Sequence, residues 1–540
     1  MAPSHPRAVG KKSRSGCRSC RARRIKCDET PNACRNCTST GRVCDGYDLH
    51  RLPRRRKARA DGTTSPGVLA ITPEPPWAMT SDERQCLSYF QHRTVPTILQ
   101  FYDSLLWQRL ILQMSQSEPA VYHAVVALGA IHQNSETEGM SLLVRNLYNT
   151  RNMFALAQLG RAFTFLTQRR LSHDPRLRPV ILVCCLLFVV SDLLQGQYDA
   201  AFKHLSSGLR ILGEEKAERA LASTTPREGP IDRSLVEAFY HLGIQSTLFG
   251  FEDSLLPIDD GKYNIEFYNL YEARQAYNIP LHAVYRFTGP CIGLSASYIK
   301  SNYDVLQSRQ LAAFAILNEY MDLFERFYRT SYARLSRKEQ RGANLLYLQQ
   351  LGLALSLKTC LLAGDPTAYD YYTTDYEMIL LAAAKVIEDF TERPGISLNV
   401  GVIPILFRTA MACRDRSLRW RAIELLQSWP HREGPFDSNW FVHVSLETLK
   451  LELLAESGGR RGQDNPKPTL TTISGERLSF KRLMVKIKQG QRNAVRAMGK
   501  GVGDGKHSPL ELVGSVKCSE SWSCVRLFKI MAGQYKPPQP

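Results

Sequence analysis

Residues 17–44 read CRSCRARRIKCDETPNACRNCTSTGRVC, with cysteines at Cys17, Cys20, Cys27, Cys34, Cys37 and Cys44. The stretch is two near-identical halves, each a Cys-x2-Cys pair followed seven residues later by a lone cysteine. Met1 to Gly16 is polar and basic, without the apolar run of a secretory signal, so a reducing compartment is expected. Thiolates in such a compartment point to metal rather than disulfides. Zinc takes four soft ligands in a tetrahedron at about 2.3 Å. Two separate four-coordinate sites need more sulfur than six cysteines supply, so two sulfurs must be shared. The symmetric choice is the first cysteine of each half. Cys17 and Cys34 then bridge two zinc ions, Cys20 and Cys27 complete one, and Cys37 and Cys44 complete the other.

Each Cys-x2-Cys pair stands where a short helix can begin, so its sulfurs meet free N–H groups and the positive end of the helix dipole. The reading predicts one helix over Arg18 to Ile25 and a second over Arg35 to Thr40, stopped by Gly41. So small a module has no apolar core, and metal must supply its folding free energy, roughly 10–16 kcal/mol per structural zinc. The halves differ in dress. The first carries Arg18, Arg21, Arg23, Arg24 and Lys26; the second carries Arg35 with Asn36, Thr38 and Ser39.

Charge is concentrated around the same stretch. Residues 1–60 hold 17 Lys and Arg against four acids, a net of +13 out of +19 for the whole chain, which leaves only +6 for the other 480 residues. Six thiolates and two zincs together lower the segment to about +11, still strongly cationic. A basic device this local points to nucleic acid or an anionic surface. Lys11, Lys12 and Arg14 lie in a basic arm over residues 1–16. Arg54, Arg55, Arg56, Lys57 and Arg59 follow the cysteines as a run suited to nuclear localisation and phosphate contact. The Gly/Thr/Ser/Pro-rich stretch to residue 79 reads as a linker, and no a/d heptad in it predicts pairing of chains.

From residue 80 to 457 the texture becomes helical. Thr80 to Glu83 supply a helix start; Ile98, Phe101, Tyr102, Leu105 and Leu106 are expected on one helical face, and Ala120 to Ile131 as a buried helix. Further helices are expected over 152–169, 179–194, 198–212, 234–249, 311–328, 344–362, 375–390, 403–413, 418–427 and 441–455. Val180 to Val190 is a core helix, too short an apolar run to span a bilayer. No series of alternating strands is present, so the fold class is a zinc-dependent N-terminal module plus a large all-α domain. Residues 458–540 read as a basic, partly disordered tail. His123 and His132 read as core or rim histidines, not metal ligands. No nucleophile elbow, zinc-protease helix or phosphate-binding loop is present, so no enzyme is expected.

Cys17 to Asp28, Pro31 and the second half closely resemble the fungal binuclear zinc cluster of transcription factors. In that family the first helix enters the major groove and reads a C-G-G triplet. The resemblance places Arg24 at the base-reading position with Arg23 and Lys26 alongside, and Arg21 on phosphate; a bidentate Arg to guanine O6 and N7 is worth about 1–3 kcal/mol of discrimination. Pro31 departs from the family's usual spacing to the fourth cysteine. A second resemblance lies in Arg93-Thr94-Val95-Pro96, Phe101-Tyr102-Asp103-Ser104, Trp107, Glu118-Pro119-Ala120-Val121 and His123 to Ala130, which look like the helical regulatory domain that accompanies this cluster in filamentous fungi. Many members control secondary-metabolite gene clusters. The expectation is a nuclear, sequence-specific regulator of RNA polymerase II genes that binds double-stranded DNA and meets co-regulators through its helices. The competing expectation is a nuclear scaffold or ligand-sensing protein with only non-specific DNA affinity. RNA is disfavoured because residues 17–44 offer no aromatic ring to stack a base.

Overall fold

The computed structural model describes residues 17–44 except 24, 29, 31–33 and 43, and residues 77–458 except 78, 141–148, 170–173, 175, 222–231, 250, 252–265, 292–293 and 363–365. The basic arm, most of the linker and the 459–540 tail lie outside them. Two separate cores exist: the cysteine cluster, and one continuous apolar core running from Cys86 to Val442.

The zinc module holds α1 (Arg18–Ala22) and α2 (Arg35–Thr38). The large domain opens on α3 (Ser81–Tyr89), started by a capping box in which Thr80 Oγ1 accepts the Glu83 N–H at 3.2 Å and the Glu83 carboxylate accepts the Thr80 N–H at 2.9 Å. Glu83 also receives Gln158 Nε2 at 3.0 Å and Arg161 at 2.7 Å, tying this start to α7 (Thr150–Gln168). Trp77, placed in the linker by sequence, packs edge-on against Tyr122 with ring centroids 5.4 Å apart. An apolar ring after a proline-rich stretch docks wherever the core offers it a face.

Between α4 (Val95–Ile98) and α5 (Ile111–Ser117) the expected single helical face does not form. The chain leaves the helix after Ile98 and re-enters at Leu106 with a π-type turn, so Phe101 and Tyr102 are buried from a loop and Leu105 is exposed. Tyr102 fixes that loop by donating its hydroxyl to the Gly342 carbonyl at 2.9 Å. The centre of the domain is α6 (Pro119–Thr137), buried along most of its length and packed on α7 and on α8 (Leu177–Leu194). Helix α8 is long and apolar enough to cross a membrane, with mean hydropathy 2.3, but it is buried among the other helices, with α9 (Tyr198–Leu221) packed along it. His132 sits fully buried with Nδ1 2.9 Å from Thr94 Oγ1, and burial pulls its pKa down to about 4; His123 Nδ1 lies 2.6 Å from Gln158 Oε1.

The second half continues through α10 (Arg233–Ser246), α11 (Leu270–Ala276), α12 (Asn278–Cys291), α13 (Ala296–Ser301), α14 (Tyr303–Ser331), α15 (Arg337–Thr359), α16 (Thr373–Glu388), α17 (Ile403–Ala412), α18 (Arg416–Gln427) and α19 (Ser438–Gly458). Helices α11 to α13 carry no sequence expectation, and α9 and α14 run longer than expected. A three-stranded sheet of two-residue strands was also unexpected: β1 (Ile396–Ser397) pairs parallel with β2 (Arg432–Glu433), which pairs antiparallel with β3 (Phe436–Asp437). Its side chains fasten distant parts of the chain. Buried Arg432 reaches Asp437 at 3.0 Å, the Leu193 carbonyl at 3.1 Å and the Met140 carbonyl at 3.2 Å. Glu433 accepts the N–H groups of Gly401, Val402 and Ile403 at 2.9, 2.8 and 3.0 Å, which satisfies the start of α17.

Close helix packing makes a direct test. A methyl added at Gly129 in α6 would collide with the Cys86 carbonyl of α3, whereas Gly160 in α7 has open space around it. Gly129→Ala should therefore destabilise the domain by about 1–3 kcal/mol, and Gly160→Ala should stabilise it by about 0.5–1 kcal/mol. Urea unfolding of the two variants measures both signs.

Candidate metal centre and nucleic-acid interface

The six sulfurs converge on one point in two overlapping sets: Cys17, Cys20, Cys27 and Cys34, and Cys17, Cys34, Cys37 and Cys44, with all ligand atoms of a set within 4.8 Å of one another. Cys17 and Cys34 belong to both. Their sulfurs are 3.5 Å apart, Cys20 and Cys34 are 3.5 Å apart, and Cys17 and Cys37 are 3.7 Å apart. A tetrahedron with ligands at about 2.3 Å has edges of roughly 3.8 Å, so the spacing suits thiolates gathered on zinc. Each set supplies four sulfurs and no other donor, the chemistry zinc prefers.

The internal repeat of the sequence is a repeat in space. The Cys17 N–H points to Cys27 Sγ at 3.4 Å, and the Cys34 N–H points to Cys44 Sγ at 3.5 Å, ten residues onward in both halves. The Cys20 N–H points to Cys17 Sγ at 3.3 Å, so the bridging sulfur also caps α1. Helix α1 ends at Ala22, earlier than expected, because the chain must turn for Cys27 to return to Cys17; the Ile25 N–H reaches back to the Cys20 carbonyl at 3.1 Å. After α2 the chain reverses at Gly41, whose φ of +65° suits a residue without Cβ.

Sequence reading missed what locks the halves together. Asp28 accepts the N–H groups of Arg35 at 3.0 Å and Asn36 at 3.2 Å, capping α2 from the opposite half, and also the hydroxyl of Thr30. The Thr30 hydroxyl first, then these amides, hold its carboxyl well below the usual carboxylate range. Asn36 answers by donating its amide to the Lys26 carbonyl at 2.7 Å. The signal was an acid directly after the third cysteine, seven residues before a helix start.

This brace consumes much of the second half's polarity. Asn36 is engaged with Lys26, and the hydroxyls of Thr38 and Thr40 bond carbonyls of their own turn, Thr38 to Cys34 at 3.3 Å and Thr40 to Asn36 at 3.0 Å. Arg23 and Lys26 of the first half and Arg35 and Arg42 of the second are exposed and, among the described residues, pair with no carboxylate. The side chains of Arg18 and Arg21 lie outside the described residues, as do Lys11, Lys12, Arg14, Arg24 and the run Arg54, Arg55, Arg56, Lys57 and Arg59.

Comparison with known proteins agrees with this geometry. Residues 15–54 match the fungal Zn(2)-Cys(6) binuclear cluster domain, and residues 85–259 match the fungal specific transcription factor domain. The chain therefore carries both domains of fungal Zn(2)-C6 transcription regulators. Its cluster domain binds two zinc ions and is a DNA-binding module. The aspercryptin biosynthesis cluster-specific transcription regulator of Emericella nidulans is 23% identical over 572 aligned positions, covering 84% of this chain and 89% of that one. A transcription regulator of Purpureocillium lilacinum, lscL, is 27% identical over 208 positions, 37% of this chain and 49% of its own. The transcriptional regulatory protein moc3 of Schizosaccharomyces pombe is 41% identical over 66 positions, 12% of each chain. No solved structure matches the chain at a significant level.

Sharing of sulfurs sets the outcome of single substitutions. Cys17→Ser or Cys34→Ser removes a ligand from both sets and should abolish binding of both zincs, whereas Cys44→Ser should retain more metal, because one set of four is intact. Zinc per chain, measured by elemental analysis after gel filtration, reads the difference. Burial pushes the Cys17 thiol up to about 12, so at neutral pH loading must displace thiol protons. Apparent zinc affinity should fall as pH is lowered, measured by competition with a chelator.

Proposed function

We propose that this regulator recognises C-G-G-containing sites in double-stranded DNA through its first zinc-cluster half and controls a secondary-metabolite biosynthetic gene cluster from the nucleus. One observation carries the DNA reading: the two halves are braced together by Asp28 and Asn36, while Arg23 and Lys26 stand exposed and, among the described residues, without carboxylate partners. Cations left unpaired on a braced support meet phosphates and guanine edges without first breaking an ion pair. Arg24 is assigned to the base edge, with Arg23 and Lys26 alongside it. Arg18, Arg21 and the Lys11, Lys12 and Arg14 arm are assigned to the backbone, and the Arg54 to Arg59 run to nuclear import. Control of a biosynthetic cluster is supported by the relative from Emericella nidulans, whose name states that role and whose alignment spans most of both chains. The helical domain is then the part that meets co-regulators.

Selection of bound duplexes from a random pool tests the proposal. Enrichment of C-G-G is expected; salt-sensitive binding without enrichment would instead favour a scaffold with non-specific DNA affinity. Arg24→Ala should relax base preference by about 1–3 kcal/mol at one position. Lys12→Ala should weaken all sequences alike and lower the salt slope by about one. Unchanged base preference in Arg24→Ala would remove Arg24 from the reading position.

A further inference from the structure

The helical domain encloses a cavity of about 320 Å³ between α12, α15, α17 and α19, a size that suits a small organic molecule. Its walls are mostly apolar, formed among others by Leu353, Ile405, Phe436 and Phe441. Half-buried Tyr369, Met411 and Val444 in its lining connect it to the surface. Among its lining residues Arg408 is the sole ionic side chain. That guanidinium donates to Thr359 Oγ1 at 2.5 Å and to the Ser356 carbonyl at 3.4 Å, yet among the described residues its buried Nε–H has no partner and it pairs with no carboxylate. Opposite in character is Gln349, also in the lining: its Nε2 is spent on the Val400 carbonyl, and its buried Oε1 accepts from nothing among the described residues. Glu433, the acid that starts α17, is occupied by three backbone amides and by His431 Nε2 at 2.8 Å.

A half-buried guanidinium without a counter-ion in a largely apolar cavity is a ready partner for an anion. An unmet buried acceptor in the same wall asks for an N–H or O–H donor. We propose that this cavity binds a largely apolar organic carboxylate carrying a hydrogen-bond donor, its carboxylate on Arg408 and its donor on Gln349 Oε1. The site lies wholly within the helical domain, and α17, which carries Arg408, is started by Glu433. Binding therefore stiffens α17 against α15 and gives the regulator an input separate from its zinc module.

The zinc-loaded full chain should be titrated with two probes, 3-hydroxy-2-naphthoate and 10-hydroxydecanoate, and with the neutral carboxamide of each, by calorimetry and thermal unfolding. Saturable binding of at least one carboxylate, tighter than about 1 mM, is expected, with its carboxamide about tenfold weaker or more. Arg408→Gln should erase that preference, Arg408→Lys should keep part of it, and Ser356→Phe, which fills the cavity, should abolish binding of both forms. If Arg408→Gln does not fold, judged by loss of cooperative unfolding, the Lys and Phe variants decide. The proposal is overturned if neither carboxylate binds, if carboxamides bind equally, or if Ser356→Phe leaves binding intact. Duplex selection is carried out without these probes, so failure here and failure of the DNA reading are told apart.

Discussion

Two sulfur atoms, those of Cys17 and Cys34, carry the architecture of the DNA-binding end of this chain. Each must serve two metal ions, because six cysteines divide into two tetrahedral sets only if two are shared. Sharing has a structural consequence beyond economy. It makes the two halves one object: neither can move without disturbing both ions, and Asp28 and Asn36 add a second connection between the same halves. A segment of 28 residues with no apolar core thereby becomes stiff enough to present arginines at fixed positions.

The helical domain solves a different problem. Its core is continuous, but distant segments are fastened by buried polar groups clustered at one small sheet. Arg432 holds the ends of α8 and of the α6 turn through two carbonyls, and Glu433 starts α17. Trp429, stacked on His431 at 3.9 Å between centroids, closes the same corner by donating Nε1–H to the Pro394 carbonyl at 2.8 Å. Buried polar networks of this kind specify an arrangement more than they add stability. Arg432 reaches a carboxylate in Asp437, whereas Arg408 in the cavity nearby pairs, among the described residues, with none.

What the sequence disclosed and what it hid follow from physical range. The sulfur sets were legible because ligand number is a counting constraint that spacing alone exposes. Helices α6 and α8 were legible because Ala120 to Ile131 and Val180 to Val190 are apolar all round, as buried helices must be. The break after Ile98 was not, because an apolar series at helical spacing cannot reveal that Tyr102 finds its partner at Gly342, 240 residues away. The sheet was hidden for a similar reason. Two-residue strands have no period, and Arg432 and Glu433 look like surface charges until Leu193, Met140 and the 401–403 backbone are brought to them. Asp28 entered as a negative charge in the count and as the end of the resembling stretch, with no bracing role, since that role lies in two amides of the opposite half. Helices α11 and α13 are short, and α12 carries Pro280 and Pro290 within its 14 residues, so the sequence raised no helix expectation there.

The central claim is that two zincs share two thiolates in a wholly sulfur environment. X-ray absorption at the zinc edge of the full chain tests it most directly. The account predicts four sulfur neighbours per zinc at about 2.3 Å, two zincs per chain, and scattering from a second zinc close by. Nitrogen or oxygen among the ligands, or the absence of a zinc neighbour at full loading, would contradict it.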